Sequence, residues 1–239
     1  MTHYVNYAAL FKTLYIVGDG ADVVRLHDEL VDLYTGMNWE EEARGVILTG
    51  SDEKSFATEG EQVKLWPLAE PIAKHDKTIM AAIEGDAIGQ GLEVALACDI
   101  RIASETSRFG IPHIKRGFIP WDGGTQRLSR LVGKGKALEM ILTGEVIEAQ
   151  EALRIGLVHR VVPKKDIIEI TMKMAKEMAS KGPVALRYTK EAVYKGMDMT
   201  LEQGLRLEAD LYLLIHTTKD RTEGIQAFRE KRMAKFDGR

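Results

Sequence analysis

Three ionisable residues, Glu93, His113 and Asp122, lie in a stretch of the chain that is otherwise rich in apolar residues and glycine. Glu93 has apolar neighbours at positions 92 and 94–96, which disfavours a solvent-facing carboxylate. Burial and mutual interaction shift the pKa values of paired ionisable groups apart, so that one acts as an acid and the other as a base. Histidine performs the same proton transfers near neutral pH. The residue types predict proton-transfer chemistry, although a lone histidine is more often structural.

A helix that follows a glycine-bearing turn must position Glu93. We predict a buried strand at 78–83, closed by Gly85, and a helix at 89–97. The first amides of a helix have no acceptor within the helix and lie at the positive end of its dipole. A developing oxyanion is stabilised there, and glycine allows a ligand to approach the backbone. An ordinary strand–turn–helix joint has the same glycines, so the pattern alone leaves both interpretations open.

Strand and helix patterns alternate through the first half of the chain. Strands are predicted at 13–17, 45–49, 78–83 and 99–103, and helices at 22–34, 62–74 and 89–97. This alternation predicts β-α units around a largely buried sheet. Beyond residue 122, helices are predicted at 124–131, 136–142, 149–155, 164–180, 183–195, 201–216 and 222–236. We therefore expect a core domain over 1–180 and a C-terminal helical region, 181–239, for lid and oligomerisation.

The composition excludes several functional classes. Hydrophobic residues form 45% of the 239 residues, which excludes a disordered chain. A net charge of -3, with no basic arm or zinc-finger spacing, gives no indication of nucleic acid binding. The single cysteine, Cys98, excludes a disulfide within the chain and suits a reducing compartment. With no signal-like N-terminus and no apolar run of membrane length, we expect a cytoplasmic protein without a membrane partner.

Motifs spread over 83–128 favour one interpretation of the turn. They are EG at 84–85, GQGLE at 89–93, CD at 98–99, Pro112, Gly117, Pro120 and GGTQRL at 123–128. Together they resemble the signature of the enoyl-CoA hydratase/isomerase family, in the crotonase superfamily. The blocks 54–61 (KSFATEGE), 143–163 and 223–236 are also similar to that family. The resemblance extends from about residue 44 to the C-terminus.

The resemblance implies both a fold and a substrate. The fold is an α/β, ClpP-like ββα spiral core with a C-terminal helical region, assembled as a homotrimer or a dimer of trimers. The substrate is an acyl-CoA, activated through an enolate-like intermediate with no metal or redox cofactor, so coenzyme A enters only as part of the thioester. The backbone N–H groups of Gly60 and Gln90 would form the oxyanion hole. Further implied substrate-binding residues are Ala57, Thr58, Trp121 and, from an adjoining subunit, Lys231.

The chain departs from the family pattern at the site itself. Glu93 matches the first of the two family glutamates, whereas His113 stands in place of the second. Gln90 replaces a glycine but keeps the backbone N–H, and Asp122 stands where simple hydratases have an apolar or small residue. The leading hypothesis is an acyl-CoA hydratase or isomerase in which Glu93, His113 and Asp122 move protons or water. Asp122 is also a suitable N-cap for a helix beginning at Gly123.

Two alternatives stay open at this point. The spacing of His113 and Asp122 is similar to that of 6-oxocamphor hydrolase, which implies hydrolysis of a carbon–carbon bond in a β-diketone or β-keto acyl substrate by a retro-Claisen route. The region 17–26 lacks the family's nucleotide-cradling motif, which favours that version. The missing glutamate and the substituted glycines also leave room for a non-catalytic scaffold of the same fold.

Overall fold

A computed structural model describes residues 4–6, 11–16, 28, 30–32, 43–50, 55–58 and 67–239. The main sheet contains, in chain order, β1 (Tyr4–Asn6), β2 (Phe11–Ile16), β3 (Gly45–Gly50), β5 (Thr78–Ile83), β7 (Ile100–Ser104) and β10 (Arg160–Val162). The second sheet contains β4 (Ser55–Thr58), β6 (Asp86–Ile88), β8 (Arg108–Gly110) and β9 (Val146–Glu148). Neighbouring strands of the main sheet are parallel except for β1 and β2.

The helices surround and extend these sheets. They are α1 (Ala69–Ala73), α2 (Gln90–Ala97), α3 (Gly124–Val132), α4 (Lys134–Thr143), α5 (Ala149–Arg154), α6 (Ile167–Ala179), α7 (Pro183–Gly196), α8 (Leu201–Ile215) and α9 (Lys219–Glu230). Two short 3-10 helices lie at Pro112–Arg116 and Lys164–Asp166. Within the described ranges, none of the helices has the length and apolar character needed to cross a membrane.

The core repeats a unit of two strands and a helix, in which the first strand joins the main sheet and the second joins the second sheet. β3 is followed by β4 and α1, and β5 by β6 and α2. Because β3 pairs with β5 while β4 pairs with β6, successive repeats step sideways together in both sheets. β3 and β5 are almost wholly apolar and buried, as expected for central parallel strands covered on both faces. The predicted ββα spiral core is thereby confirmed.

The predicted elements agree with the structure in type and differ at their ends. The helix predicted at 164–180 begins with a 3-10 turn before α6. The helix predicted at 222–236 instead spans Lys219–Glu230, because Lys231 adopts a left-handed φ of 55°. Of the helix predicted at 22–34, the described positions 28 and 30–32 are helical, and residues 62–66 lie outside the described ranges. The division into a core and a C-terminal region stays a prediction.

Candidate active site

The turn before α2 has the geometry that a close approach to the backbone requires. Gly85 and Gly89 have φ values of 80° and 65°, which residues other than glycine rarely adopt. The Gly89 amide donates to the Gly110 carbonyl of β8 at 2.9 Å, while the Gly89 carbonyl accepts from the amides of Leu92 and Glu93. Gln90 is the first residue of α2, so its amide points out of the positive end of that helix. Gly60, the other expected donor, lies outside the described residues.

Glu93 is completely buried and one of its oxygens has a structural task. Oε1 accepts hydrogen bonds from the amides of Asp122 and Gly124, at 2.9 and 2.8 Å, and thus satisfies amides at the start of α3. A side chain at position 124 would place its Cβ 2.7 Å from this oxygen, so only glycine fits there. Burial raises the pKa of Glu93, and the hydrogen bond from Gly124 opposes that rise. The carboxylate is therefore rigidly held and inclined to keep a proton.

The second oxygen of Glu93 faces His113. His113 lies in the 3-10 helix Pro112–Arg116 and is only 2% exposed. Its Nε2 is 3.6 Å from Glu93 Oε2, and that oxygen accepts no hydrogen bond from the described residues. Burial lowers the pKa of His113, and the charge of Glu93 partly offsets the effect. At this separation the groups are beyond direct hydrogen bonding, so a proton shared between them needs an intervening oxygen, such as that of water.

Asp122 does not cap the helix that follows it, so that structural prediction is wrong. Gly123 is the N-cap of α3, with a φ of 100° and no side-chain capping bond. The Asp122 carboxylate instead accepts, through Oδ2, from the amides of Leu68 and Ala69 at 2.8 and 2.9 Å. These amides belong to the start of α1, which is distant in sequence. Asp122 therefore caps a different helix from the one expected.

A third donor reaches the same oxygen of Asp122. The side-chain Nε2 of Gln90 donates to Oδ2 at 3.0 Å, and both residues are buried. Burial raises the pKa of Asp122, while the bonds from Gln90, Ala69 and Leu68 oppose the rise. No pattern in the sequence indicates this contact directly. The indirect signal was that Gln90 and Asp122 both depart from the family pattern in one short stretch.

His113 and Asp122, the two residues on whose spacing the hydrolase alternative is based, are not in direct contact. No hydrogen bond or ion pair joins these two described residues, because His113 faces Glu93 while the Asp122 carboxylate faces Leu68, Ala69 and Gln90. Glu93, His113 and Asp122 do lie together, since the Asp122 amide is bonded to Glu93. The arrangement nevertheless groups them as one carboxylate–imidazole pair with a neighbouring carboxylate that is held by three donors.

Four residues are expected to bind substrate, and the structure describes the surroundings of each in different detail. Ala57 and Thr58 lie in β4, with backbone partners Ala87 and Ile88 of β6. Trp121, which lies between Pro120 and Asp122 in the chain, is partly buried. Its indole Nε1 is enclosed without a hydrogen bond to the described residues. Lys231 is exposed just beyond α9, where the expected contact would come from a neighbouring subunit. The substrate contacts of all four residues stay predictions.

Other reactive residue types have structural surroundings. Cys98 is fully enclosed at the end of α2, and burial raises the pKa of its thiol to about 12, which disfavours the nucleophilic thiolate. Burial also lowers the pKa of His75 to about 4. No group of three His, Cys, Asp or Glu side chains suited to a metal ion occurs in the described part of the chain.

Fold and site together define an α/β protein that pairs a buried carboxylate with an imidazole beside a helix N-terminus. A family model described as enoyl-CoA hydratase/isomerase matches residues 23–239. The chain is 37% identical over 223 residues to crotonyl-CoA hydratase of Syntrophomonas wolfei, covering 87% of this chain and 86% of that protein. It is 38% identical over 224 residues to (E)-benzylidenesuccinyl-CoA hydratase of Thauera aromatica, covering 88% of each.

Solved structures give the same result. The crystal structure of enoyl-CoA hydratase from Bacillus anthracis matches with a TM-score of 0.93 and 35% identity, covering 100% of this chain and 99% of that one. The chain belongs to the enoyl-CoA hydratase/isomerase family of the crotonase superfamily. It is an enzyme of the acyl-CoA hydratase/isomerase type, which confirms the class of enzyme that the sequence predicts, while the roles of Glu93, His113 and Asp122 stay predictions. A non-catalytic scaffold finds no support in these relatives.

Proposed function

We propose that the enzyme adds water reversibly to a 2-enoyl-CoA thioester, with Glu93 and His113 as its catalytic residues. The observation that carries the proposal is the geometry of Glu93. One carboxylate oxygen is fixed by two backbone amides, and the other faces His113 Nε2 at 3.6 Å in a buried site. A water molecule between the two groups would be oriented by both and would exchange protons with both.

The proposed reaction proceeds through an enolate. The oxygen of water forms a bond to C3, the electrons of the double bond move to C2 and the thioester oxygen, and the pair takes up the proton that the water loses. A proton then returns to C2, which regenerates the thioester. The backbone amides of Gly60 and Gln90 would hold the negatively charged oxygen. Each such donor contributes roughly 2.7–4 kcal/mol to transition-state stabilisation.

The buried surroundings of Glu93 and His113 suit a proton that passes between them. Burial raises the pKa of Glu93 and lowers that of His113, so both shifts act against the ordinary preference of a proton for the imidazole over the carboxylate. Small differences in proton affinity allow a proton to pass in both directions during a reversible reaction. Water, the thioester and these two groups balance the reaction, so the proposal includes no cofactor beyond the coenzyme A of the substrate.

We also propose a homotrimer or a dimer of trimers in the cytoplasm. Large apolar side chains stay exposed on the C-terminal helices, including Val193, Leu201, Leu205, Tyr212 and Phe228, with Leu201 at 80% and Phe228 at 85%. Apolar surface of this extent favours coverage by a second copy of the chain. Lys231 lies beside this surface and would then reach the coenzyme phosphates of a neighbouring site. Analytical ultracentrifugation tests the assembly, and a monomer at micromolar concentration would contradict it.

The test of the function is turnover of enoyl-CoA thioesters of increasing chain length, starting with crotonyl-CoA. We expect loss of the absorbance of the conjugated thioester without release of free coenzyme A. Release of coenzyme A would indicate thioester cleavage instead of hydration. A cyclic β-diketone serves as the control substrate, and its enol absorbance should not change. Absence of turnover with every enoyl-CoA would overturn the proposal.

A further inference from the structure

Two unusual residues of the site are partners in the structure. Gln90 and Asp122 stand where the family signature has a glycine and a small or apolar residue, and the Gln90 side chain donates to Asp122 Oδ2 at 3.0 Å. Both residues are at least nine-tenths buried, at 8% and 7% exposure. A buried hydrogen bond to a charged acceptor is stronger than a neutral one and costly to break from one side only. Each of the two substitutions therefore supplies what the other needs.

Asp122 connects three separate elements of the site. Its Oδ2 accepts from the Leu68 and Ala69 amides at the start of α1 as well as from Gln90 at the start of α2. Its own amide donates to Glu93, and its carbonyl accepts from Arg127 of α3 at 2.8 Å. The residue thus holds the first turns of α1 and α2 at a fixed separation while α3 begins beside them.

The way in which Oδ2 of Asp122 is bound argues against proton transfer by that oxygen. An oxygen that accepts three hydrogen bonds is stabilised as a carboxylate oxygen, because protonation there would displace a donor. Two of the donors are backbone amides, which cannot turn away to accommodate a proton. Glu93 is also held by two backbone amides through one oxygen, but its other oxygen, Oε2, faces the imidazole of His113, a second group that can transfer a proton. Asp122 instead resembles a fixed junction.

We propose that Gln90 and Asp122 form a clamp that aims the backbone N–H of Gln90 at the thioester oxygen, with Asp122 as a positioning residue. This inference rests on the proposed function, in which the Gln90 amide is an oxyanion donor. The side chain of Gln90 ties its own residue to Asp122, and Asp122 is in turn tied to α1. The family signature has a glycine, with its free backbone, at the first residue of α2. In this chain the bond from the Gln90 side chain to Asp122 restrains that residue instead.

The clamp should act on the transition state more than on the bound substrate. The oxyanion donor is used most strongly when negative charge develops on the thioester oxygen. A misdirected amide therefore lowers kcat and leaves KM nearly constant. A small misplacement of a catalytic group can cost about 100-fold in rate. A group that transfers protons would lower kcat too, so the choice of substitutions must separate the two cases.

Four variants make that separation with crotonyl-CoA as substrate. Gln90→Met keeps the side-chain length and the backbone amide but removes the donor, and we expect kcat to fall about 10-fold. Asp122→Ala removes the whole junction, with a fall of about 30-fold, and the double variant should fall no further than Asp122→Ala because both changes break one unit. Asp122→Asn keeps an acceptor oxygen for α1 but no charge, and should retain kcat within about 5-fold.

A spectroscopic readout tests the aim of the amide without any turnover. Acetoacetyl-CoA ionises to an enolate that absorbs in the near ultraviolet, and an oxyanion hole increases the enolate fraction of the bound molecule. We expect Gln90→Met and Asp122→Ala to lower the enolate absorbance of the bound ligand about 10-fold at equal occupancy, as judged by equilibrium dialysis. Glu151→Gln, which breaks an exposed ion pair with Arg154, is the control and should match the wild type in kcat and absorbance.

The outcomes distinguish the clamp from its competitors. If Asp122→Asn loses as much kcat as Asp122→Ala, by about 1000-fold, Asp122 transfers protons and the clamp is wrong. If both Gln90→Met and Asp122→Ala keep the wild-type kcat and enolate absorbance while remaining folded by circular dichroism, the contact has no catalytic consequence. If the wild type itself turns over no enoyl-CoA, the proposed function fails before the clamp is tested. An unfolded Asp122→Ala leaves Gln90→Met and Asp122→Asn to decide.

Discussion

Two pairs of ionisable side chains in this enzyme, one partly buried and one fully buried, are built in different ways. Lys190 of α7 donates to Asp99 Oδ2 at 2.8 Å and to the Lys77 carbonyl at 3.0 Å, and Asp99 Oδ2 also accepts from the Ile79 amide of β5. Glu93 and His113 stand 3.6 Å apart without a direct hydrogen bond. The first pair fastens a C-terminal helix to the main sheet through short bonds. The second pair keeps a gap.

The difference shows which polar contacts serve the fold and which serve chemistry. A buried charge is tolerated when donors and acceptors around it are closely matched, as they are at Lys190. Glu93 has that match on Oε1 only, while Oε2 is directed towards His113 and accepts nothing from the described residues. Asp99 Oδ1 is also enclosed without a hydrogen bond to the described residues, so the unmatched oxygen alone does not distinguish the two pairs. The distinguishing feature of Glu93 is that its unmatched oxygen faces a second group that can transfer a proton, the imidazole of His113, which is the arrangement that a substrate or water can complete.

The largest expected effect is on kcat in Glu93→Gln. The amide oxygen can still accept from Asp122 and Gly124, so the start of α3 stays in place, but the side chain no longer takes up a proton. We expect kcat for crotonyl-CoA to fall about 1000-fold, with the urea midpoint of unfolding unchanged. A variant that unfolds at much lower urea would show instead that Glu93 belongs with the structural pair.

Replacing His113 should have the next largest effect. His113→Ala removes one partner of the pair, and we expect kcat to fall about 100-fold. His113→Glu restores the residue type of the family signature and should return kcat to within about 10-fold of the wild type. Steady-state kinetics on the two variants checks this directly. A wild-type kcat in a folded His113→Ala variant would mean that position 113 contributes only packing.

Breaking the Lys190–Asp99 pair should change stability and leave chemistry alone. Lys190→Met leaves the Asp99 carboxylate partly buried without its cation, and we expect a loss of about 2–3 kcal/mol in the free energy of unfolding. The loss stays below that of a fully buried pair because Lys190 and Asp99 keep 14% and 13% exposure. kcat should stay within about twofold. Lys195→Met, which removes an exposed ion pair on the same helix, is the control and should cost about 0.5 kcal/mol.

The smallest predicted effect concerns pH and His75. Burial lowers the pKa of His75 from 6.5 to about 4, so the folded state binds this proton less readily than the unfolded chain. Stability is therefore complete above pH 6.5 and falls as the pH drops towards 4, by about 2 kcal/mol at pH 5. His75→Asn should flatten this part of the stability curve in urea unfolding at several pH values. An unchanged slope would show that other groups dominate it.

Four strands of the main sheet, β2, β3, β5 and β7, and the buried carboxylate could be predicted from the sequence for a clear reason. β3 and β5 are continuous apolar runs, and the apolar neighbours of Glu93 indicate its burial. The strands β1, β4, β6, β8, β9 and β10 were not predicted, because three or four residues are too few to show a hydrophobic period. Their pairing depends instead on where the longer strands place them.

The partners of Asp122 could not be predicted because they are distant in sequence. Leu68 and Ala69 precede it by 54 and 53 residues and contribute only backbone amides, which have no residue type to recognise. An aspartate before a glycine and a helix favours a local cap by ordinary statistics. The bonds from Leu68, Ala69 and Gln90 to Asp122 outweigh this preference for a local cap. Only the folded arrangement of α1 and α2 reveals these bonds.

The most direct test of the central claim is proton NMR of crotonyl-CoA incubated with the wild-type enzyme in deuterated water. Catalysis by a paired carboxylate and imidazole beside an oxyanion hole predicts 3-hydroxybutyryl-CoA that carries a single deuterium at C2 and keeps its thioester. Recovery of unchanged crotonyl-CoA, or its cleavage to crotonate and free coenzyme A, would contradict hydration at this site.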